Sequence, residues 1–221
     1  MARSLCSQCE RPVSACICPF IVETNNQIPI VVLQHPSEVK QSKGTVALLQ
    51  RSLTNCQVII GEDFSQNSSL NSLIVKYNAL LLFPGENASE LSLTGISFEE
   101  KAGSTNNNKT PLLVILDGTW KKAYRIFMLS KNLHSLKKVF LPEVLANNGK
   151  YLIRKVAKKN ALSSLEATCF ALAILEGELD LNSLENLNSL TVNEQSVNYG
   201  RYQQMLNKFS QFNQFQLSFR D

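Results

Sequence analysis

Short continuous apolar runs alternate along the chain with segments that repeat their apolar residues at helical spacing. Runs of this kind are typical of strands buried on both faces, as in a parallel sheet that helices cover. The predicted strands are Ile28–Leu33, Gln57–Ile60, Ala79–Phe83, Leu112–Leu116 and, more weakly, Lys138–Leu141. The pattern therefore predicts an α/β fold with a mostly parallel sheet and helices on both faces.

The segments between these runs predict helices and loops. In the first of them, Val46, Leu49 and Leu53 recur on one helical stripe. The predicted helices are Ser37–Leu53, Thr119–Ser130, Leu162–Leu175 and Asn193–Phe212. Gly103–Thr110 predicts an exposed loop, and Leu179–Leu190 predicts a polar connector.

Polar or turn-forming residues follow three of the predicted strands at the point where each strand ends. They are Gln34-His35-Pro36, Pro84-Gly85-Glu86 and Asp117-Gly118-Thr119-Trp120. Ligands of open α/β sheets bind beyond the carboxyl ends of the strands, so the three clusters predict one site. Each cluster also has a purely structural interpretation, since Pro84-Gly85 fits a turn and His35 fits a hydrogen-bonded residue that closes a loop.

Asp117 joins a strand end to the start of a predicted helix. Spacing alone does not separate a carboxylate that caps this helix from one that performs catalysis. Within the helix, one apolar stripe and one basic face are expected. The stripe comprises Trp120, Ala123, Tyr124 and Phe127, and the basic face comprises Lys121, Lys122 and Arg125.

Length and composition limit the class of protein. The chain has 221 residues, of which 44% are hydrophobic and 18% charged, enough for one large domain with a small appendage. No run approaches the roughly 18 apolar residues of a membrane span, and the first residues lack the apolar core of a secretory signal. These features predict a cytoplasmic protein without a membrane partner. The common Gly-rich nucleotide motifs and the G-x-S-x-G hydrolase motif are absent from the sequence.

Charge is concentrated in one segment. Between Lys121 and Lys159 the chain carries eleven Lys or Arg residues against one acid, Glu143, so this segment is +10 and the remainder is -6 for a net +4. Such a block is typical of a surface that binds a polyanion, and the alternative is a solvated basic face without a partner.

Four of the six cysteines crowd near the N-terminus in the pattern C-x2-C-x6-C-x-C, as Cys6, Cys9, Cys16 and Cys18. In a reducing compartment, four clustered thiols predict a closed structural zinc site. An iron–sulfur centre or unliganded thiols are the alternatives. We therefore expect residues 1–24 to form a small zinc knuckle and residues 25–221 to form the main domain, with Cys56 and Cys169 as buried small side chains.

The motifs together resemble the DTW-domain family, which is named for a D-x-T-W motif. That motif is Asp117-Gly118-Thr119-Trp120, and other blocks match in the family's order over roughly residues 6 to 176. They are the four-cysteine cluster, Gln34-His35-Pro36-Ser37-Glu38, Leu82-Phe83-Pro84-Gly85-Glu86, Lys121-Lys122-Ala123, and Arg154 leading to Leu162-Ser163-Ser164-Leu165-Glu166-Ala167. Two positions depart from the pattern: Gly44 stands where Asn is expected, and Ser164 where Thr is commoner.

The resemblance implies a tRNA-uridine aminocarboxypropyltransferase that uses S-adenosylmethionine to modify N3 of a tRNA uridine. It also implies a SPOUT-like α/β fold with a knotted sheet, which general rules of chain connection disfavour. Asp117 is the candidate general base, Trp120 is either a stacking residue or a core residue, and His35 either orients the uracil or closes a turn. The implied cofactor-binding residues are Pro84, Gly85, Glu86, Thr119, Ser163 and Ser164. The implied RNA-binding residues are Lys121, Lys122, Arg125, Arg154, Lys155, Lys158 and Lys159.

Two alternatives remain on sequence alone. The same cofactor and pocket fit an S-adenosylmethionine-dependent RNA methyltransferase, and the basic segment with the knuckle fits a non-catalytic zinc-containing RNA-binding module. All three interpretations predict an RNA partner, which is tRNA for the favoured one, and none requires an obligatory protein partner.

Overall fold

A computed structural model describes residues 4–91, 109–146, 162–179 and 197–219. Its centre is a six-stranded sheet in the order β2-β1-β5-β3-β6-β4, and every strand pair is parallel. The strands are β1 (Ile30–Gln34), β2 (Cys56–Ile60), β3 (Asn78–Leu82), β4 (Ser89–Glu90), β5 (Pro111–Asp117) and β6 (Lys137–Phe140). The predicted α/β class and parallel sheet are thereby confirmed.

Side-chain alternation divides the sheet residues between two cores, because successive residues of a strand point to opposite faces. On β5, Leu113 and Ile115 enter one core, while Leu112, Val114 and Leu116 enter the other. All seven residues of β5 are buried, which explains the continuous apolar run in the sequence.

Helices cover both faces. They are α1 (Val46–Ser52), α2 (Ser68–Lys76), α3 (Trp120–Leu129), α4 (Glu143–Ala146), α5 (Ser164–Leu175) and α6 (Gln203–Leu217). The core that contains Leu113 also takes residues from α1, α5 and α6, and the opposite core takes residues from α2 and α3. No helix in the part of the chain that the structure describes is long and apolar enough to span a bilayer.

The helix at Ser37–Leu53 was predicted as one element and is two. A 3-10 turn covers Pro36–Glu38, and α1 begins only at Val46. The residues between Val39 and Thr45 are polar or Gly, so they offer no apolar stripe that could hold a helix against the sheet.

Other predicted boundaries also change. The short elements α2, α4 and β4 were not predicted, and α6 continues to Leu217, past the predicted end at Phe212. Most of the predicted loop Gly103–Thr110 and of the predicted connector Leu179–Leu190 lies outside the described residues.

The N-terminal four-cysteine segment packs directly on the main core. Cys9 and Ile17 are buried in the same cluster as the α1, α5 and α6 side chains. The Phe20 ring lies 5.6 Å from the Phe212 ring and 5.2 Å from the Phe215 ring, both on α6. The C-terminal helix therefore secures the N-terminal segment by aromatic packing.

Candidate functional site

The Asp117 carboxylate lies at the carboxyl end of β5 and is held by side chains from two other elements. Gln34 Nε2 donates to Oδ2 over 2.9 Å, and Ser164 Oγ donates to Oδ1 over 2.6 Å. Asp117 is only 8% exposed. Two neutral side chains therefore help to orient this carboxylate in a largely buried position.

Strand register explains the first of these bonds. β1 and β5 are neighbours, and Gln34 is paired directly with Asp117. Both residues are in phase with the side chains that enter the core of α1, α5 and α6, so their polar groups emerge on the same face of the sheet.

The start of α5 explains the second bond. Ser163 caps this helix in a capping box: its hydroxyl accepts from Glu166 N, and its backbone N–H donates to Glu166 Oε2 over 2.8 Å. The Ser163 hydroxyl also donates to Glu166 Oε2. This cap fixes the first turn, so the adjacent Ser164 hydroxyl reaches Asp117 from a rigid position.

A tight turn joins Asp117 to α3. The His35 backbone N–H donates to the Asp117 carbonyl oxygen over 3.0 Å, and Thr119 Oγ1 caps α3 by accepting from Lys122 N. A Cβ added at Gly118 would lie 2.9 Å from Lys122 Cβ. A side chain between the carboxylate and the helix would therefore force Lys122 to shift.

His35 is engaged at both ring nitrogens. Nδ1 accepts from Ser37 N, and Nε2 lies 3.0 Å from Glu62 Oε1, which implies a proton on Nε2. Glu62 also pairs with Arg125 over 3.0 Å. These contacts support the turn-closing interpretation of His35 over direct contact with a base.

Lys122 pairs with a buried acid. Its Nζ lies 2.7 Å from Glu38 Oε1, and Glu38 follows β1 in the chain. This ion pair links α3 to the segment after β1, so Lys122 has a structural contact as well as its predicted contact with RNA. Lys121 is exposed.

The predicted apolar stripe of α3 is only partly buried. Ala123 and Ile126 pack on the sheet, whereas Trp120 and Tyr124 are exposed. The Trp120 ring is 6.3 Å from Phe83. The predicted apolar stripe is therefore divided: Ala123 and Phe127 pack towards the sheet, whereas Trp120 and Tyr124 face away from it.

The loop Pro84–Glu86 follows β3 and is exposed. Gly85 has φ +155°, and a Cβ there would have Lys138 Nζ of β6 as its nearest neighbour at 3.8 Å. Since β3 is the neighbour of β5, this loop lies along the same edge of the sheet as Asp117.

A cleft of about 210 Å³ opens on the face of the sheet to which the Asp117 side chain points. It is bounded by β1, β2 and α1, and by Arg11 of the N-terminal segment. Gln34 lines this cleft while donating to Asp117. Gln34 and Glu38 belong to a family motif, but the sequence did not predict them as site residues. It gave no prediction for Glu62. Gln34 could have been predicted as a site residue because it directly follows an apolar strand, at the end where ligands bind.

The four clustered cysteines fit a tetrahedral metal ion. Their sulfur atoms all lie within 4.8 Å of one another, and the Cys6–Cys18 and Cys9–Cys16 pairs are each 3.7 Å apart. A tetrahedron with Zn–S bonds of about 2.3 Å has sulfur atoms about 3.8 Å apart. Cys6, Cys9, Cys16 and Cys18 could therefore hold zinc with small side-chain adjustments.

Backbone donors favour a thiolate in this cluster. Burial opposes ionisation of Cys9, but backbone hydrogen bonds at Ile17 and Arg11 outweigh it and lower the pKa of the thiol to about 6. Backbone hydrogen bonds at Cys9 and Gln8 likewise lower the pKa of Cys6. Zinc binds thiolates, which the surroundings of Cys6 and Cys9 favour, whereas the pKa of Cys16 is raised and burial raises the pKa of Cys18 to about 12.

The remaining predicted site residues lie outside the described residues. They are Arg154, Lys155, Lys158 and Lys159.

Comparison with known proteins agrees with these motifs. The model of the DTW domain matches residues 3–217. A protein named tRNA-uridine aminocarboxypropyltransferase 2 from Drosophila melanogaster is 33% identical over 186 residues, which is 81% of this chain and 69% of the relative. Proteins of the same name from Macaca fascicularis and Mus musculus are 32% and 31% identical over 180 residues, 79% of this chain. The chain spans 57% of the length of each of these two relatives. No solved structure matches the chain significantly.

Proposed function

The chain belongs to the DTW-domain family, and on that premise we propose that it transfers the 3-amino-3-carboxypropyl group of S-adenosylmethionine to N3 of a tRNA uridine. The name of the relatives supports tRNA uridine as acceptor and aminocarboxypropyl as the group transferred. The observation that carries the proposal is the Asp117 carboxylate, largely buried and held by Gln34 and Ser164 at the carboxyl edge of the sheet.

In the proposed reaction, uracil N3 loses its proton, and a C–S bond is replaced by an N–C bond. S-adenosylmethionine supplies a sulfonium whose neutral thioether leaves with the electrons of the broken C–S bond. Uracil N3 forms the new N–C bond to the γ-carbon of the transferred arm, and its proton passes to Asp117. General bases act from a fixed position within hydrogen-bond reach, and the two donors on Asp117 provide that fixed orientation.

For the cofactor we propose Pro84, Gly85, Glu86, Thr119, Ser163 and Ser164. Their place on the loops beyond β3 and β5 and at the start of α5 supports this assignment. The Ser163 hydroxyl is already bonded within the capping box, so we propose that the backbone of Ser163, and not its side chain, lines the cofactor pocket. Ser164 would act both on Asp117 and at the edge of this pocket.

The strand order supports the proposal of a SPOUT-like, knotted sheet. β5 lies between β1 and β3, and β6 lies on the other side of β3. After β4 at the edge of the sheet, the chain therefore returns to form β5 in the middle. It then crosses β3 to form β6 between β3 and β4. A strand inserted between two earlier strands is compatible with a knotted connection, which is itself rare among folds.

RNA contacts are proposed for Lys121, Lys122 and Arg125 on α3, and for Arg154, Lys155, Lys158 and Lys159. Arg125 keeps 64% of its side chain exposed although it pairs with Glu62. Trp120 is proposed beside the reacting base, with His35 as a positioning residue. Zinc on the four cysteines would act as scaffold, and the reduced thiols and the tRNA substrate are consistent with a cytoplasmic enzyme.

The test is mass spectrometry of nucleosides from unmodified tRNA incubated with the protein and S-adenosylmethionine. We expect uridine heavier by one aminocarboxypropyl group, and a loss of about 10²- to 10⁴-fold in Asp117→Asn. Asp63→Asn changes an exposed carboxylate and is the matched control. A methyl-sized gain would instead make the protein a methyltransferase, and no gain over a full tRNA pool would favour a binding module.

A further inference from the structure

One face of α3 carries a row of large apolar side chains that the fold does not use. Trp120, Tyr124 and Met128 are 62%, 56% and 50% exposed. They are four residues apart, so they lie one above the other on the same face of the helix. Single exposed apolar residues are ordinary, but an aligned row with two aromatic rings indicates a binding surface.

The row begins at the candidate site. Trp120 is the first residue of α3, and Thr119 and Gly118 alone separate it from Asp117. Its ring is near Phe83, which precedes the Pro84–Glu86 loop. The Asp117 side chain points to the opposite face of the sheet from α3, so a molecule that reacts at Asp117 would reach this row by crossing the carboxyl edge of the sheet.

Basic residues near the row favour a polyanionic partner. From Thr119 to Phe140 the chain has six Lys or Arg residues and no acid. They are Lys121, Lys122, Arg125, Lys131, Lys137 and Lys138. Lys122 and Arg125 pair with Glu38 and Glu62 from other segments. The other four cations would still meet like charges in a symmetric dimer of this chain, which disfavours that dimer here. RNA supplies both phosphates for the cations and bases for the rings.

Spacing favours unstacked bases. Four residues of helix rise about 6 Å, which is more than the 3.4 Å between stacked bases in one strand of a duplex. Rings at this spacing suit bases that are splayed apart, as in a loop.

From these observations we propose that Trp120, Tyr124 and Met128 form a platform on which unpaired bases beside the target uridine stack. This rests on the proposed function and extends it: the enzyme selects a single-stranded loop over a duplex, and Tyr124 is a specificity residue that does not touch the reacting atoms.

Trp120 is the only tryptophan, so its fluorescence reports on the platform directly. The protein is titrated with unmodified tRNA and with a blunt RNA duplex of equal length. We expect tRNA to quench the fluorescence and the duplex to leave it nearly unchanged. Tyr124→Ala should weaken tRNA binding about tenfold or more with an unchanged salt slope, whereas Tyr124→Phe should bind as the wild type does. Phe219→Ala removes another exposed aromatic, 54% exposed at the end of the chain, and should have no effect.

Equal binding by wild type and Tyr124→Ala, or equal quenching by duplex and tRNA, would overturn the platform. So would sedimentation showing a dimer that Tyr124→Ala dissociates, because the face would then be an interface between copies. Failure of the proposed function looks different. In that case Asp117→Asn and wild type both bind tRNA and quench alike, and neither forms the modified uridine.

Discussion

Two adjacent serines at the start of α5 are expected to have opposite roles, and their alanine variants test the proposed base. Ser164→Ala removes the 2.6 Å hydrogen bond to Asp117 Oδ1 and keeps the Gln34 hydrogen bond to Oδ2. Ser163→Ala removes the cap of the helix and a hydrogen bond to the buried Glu166, while Ser164 keeps its hydroxyl.

Magnitudes follow from these contacts. A hydrogen bond to a charged group contributes about 1.5–3 kcal/mol, so losing the orientation of Asp117 should lower kcat about 10- to 150-fold in Ser164→Ala. Losing an N-cap costs about 0.5–2 kcal/mol of stability, which lowers Tm by about 1–8 °C for a chain of this size in Ser163→Ala. The kcat of Ser163→Ala should stay within a few-fold of wild type.

The assay is steady-state formation of the modified uridine, with thermal unfolding followed on the same samples. Ser164→Thr restores a hydroxyl and should restore kcat. Wild-type turnover by Ser164→Ala, together with a slower Ser163→Ala, would refute the reasoning, because the start of α5 would then matter only as structure.

Three further predictions concern the framework of the site. Cys9→Ser should abolish stoichiometric zinc, measured by elemental analysis, and lower Tm, since Cys9 is buried in the same core cluster as α6 side chains. Unchanged zinc content would contradict the metal site. Gly118→Ala places a Cβ 2.9 Å from Lys122 Cβ and should cost about 1–3 kcal/mol in urea unfolding, whereas Gly44→Ala, whose Cβ would lie 3.1 Å from the Gln41 carbonyl oxygen, should cost less. Tyr202→Phe removes a 2.7 Å hydrogen bond to Glu176 and should cost about 1–3 kcal/mol by the same measurement, with catalysis at wild-type rate; a neutral result would mean that water replaces the hydroxyl.

Gln34 connects the cleft to the proposed base. It donates to Asp117 and lines the cavity beside α1, to which Arg11 of the cysteine segment also contributes. Arg11 in turn donates to the Ser42 carbonyl oxygen over 2.9 Å. The N-terminal segment is thus joined to the loop before α1.

Much of the fold was predictable because burial on both faces leaves a local signal. The apolar run at Leu112–Leu116 identified β5, and the polar residues after it marked the strand end where Asp117 lies. The cysteine spacing likewise predicted a cluster that the structure assembles. The DTW motif and its neighbours predicted the family, which the comparisons confirm. All of these are properties of short segments.

Which elements become neighbours was decided only by the tertiary structure. Gln34 meets Asp117 because β5 pairs with β1 in one register, across 83 positions of sequence. Ser164 reaches the same carboxylate from a helix 47 positions away. The rotation of α3 was decided in the same way, since the stripe of Ala123 and Ile126 and the stripe of Trp120 and Tyr124 both have helical spacing. Periodicity determines which residues share a face, but only packing against the sheet determines which face is buried.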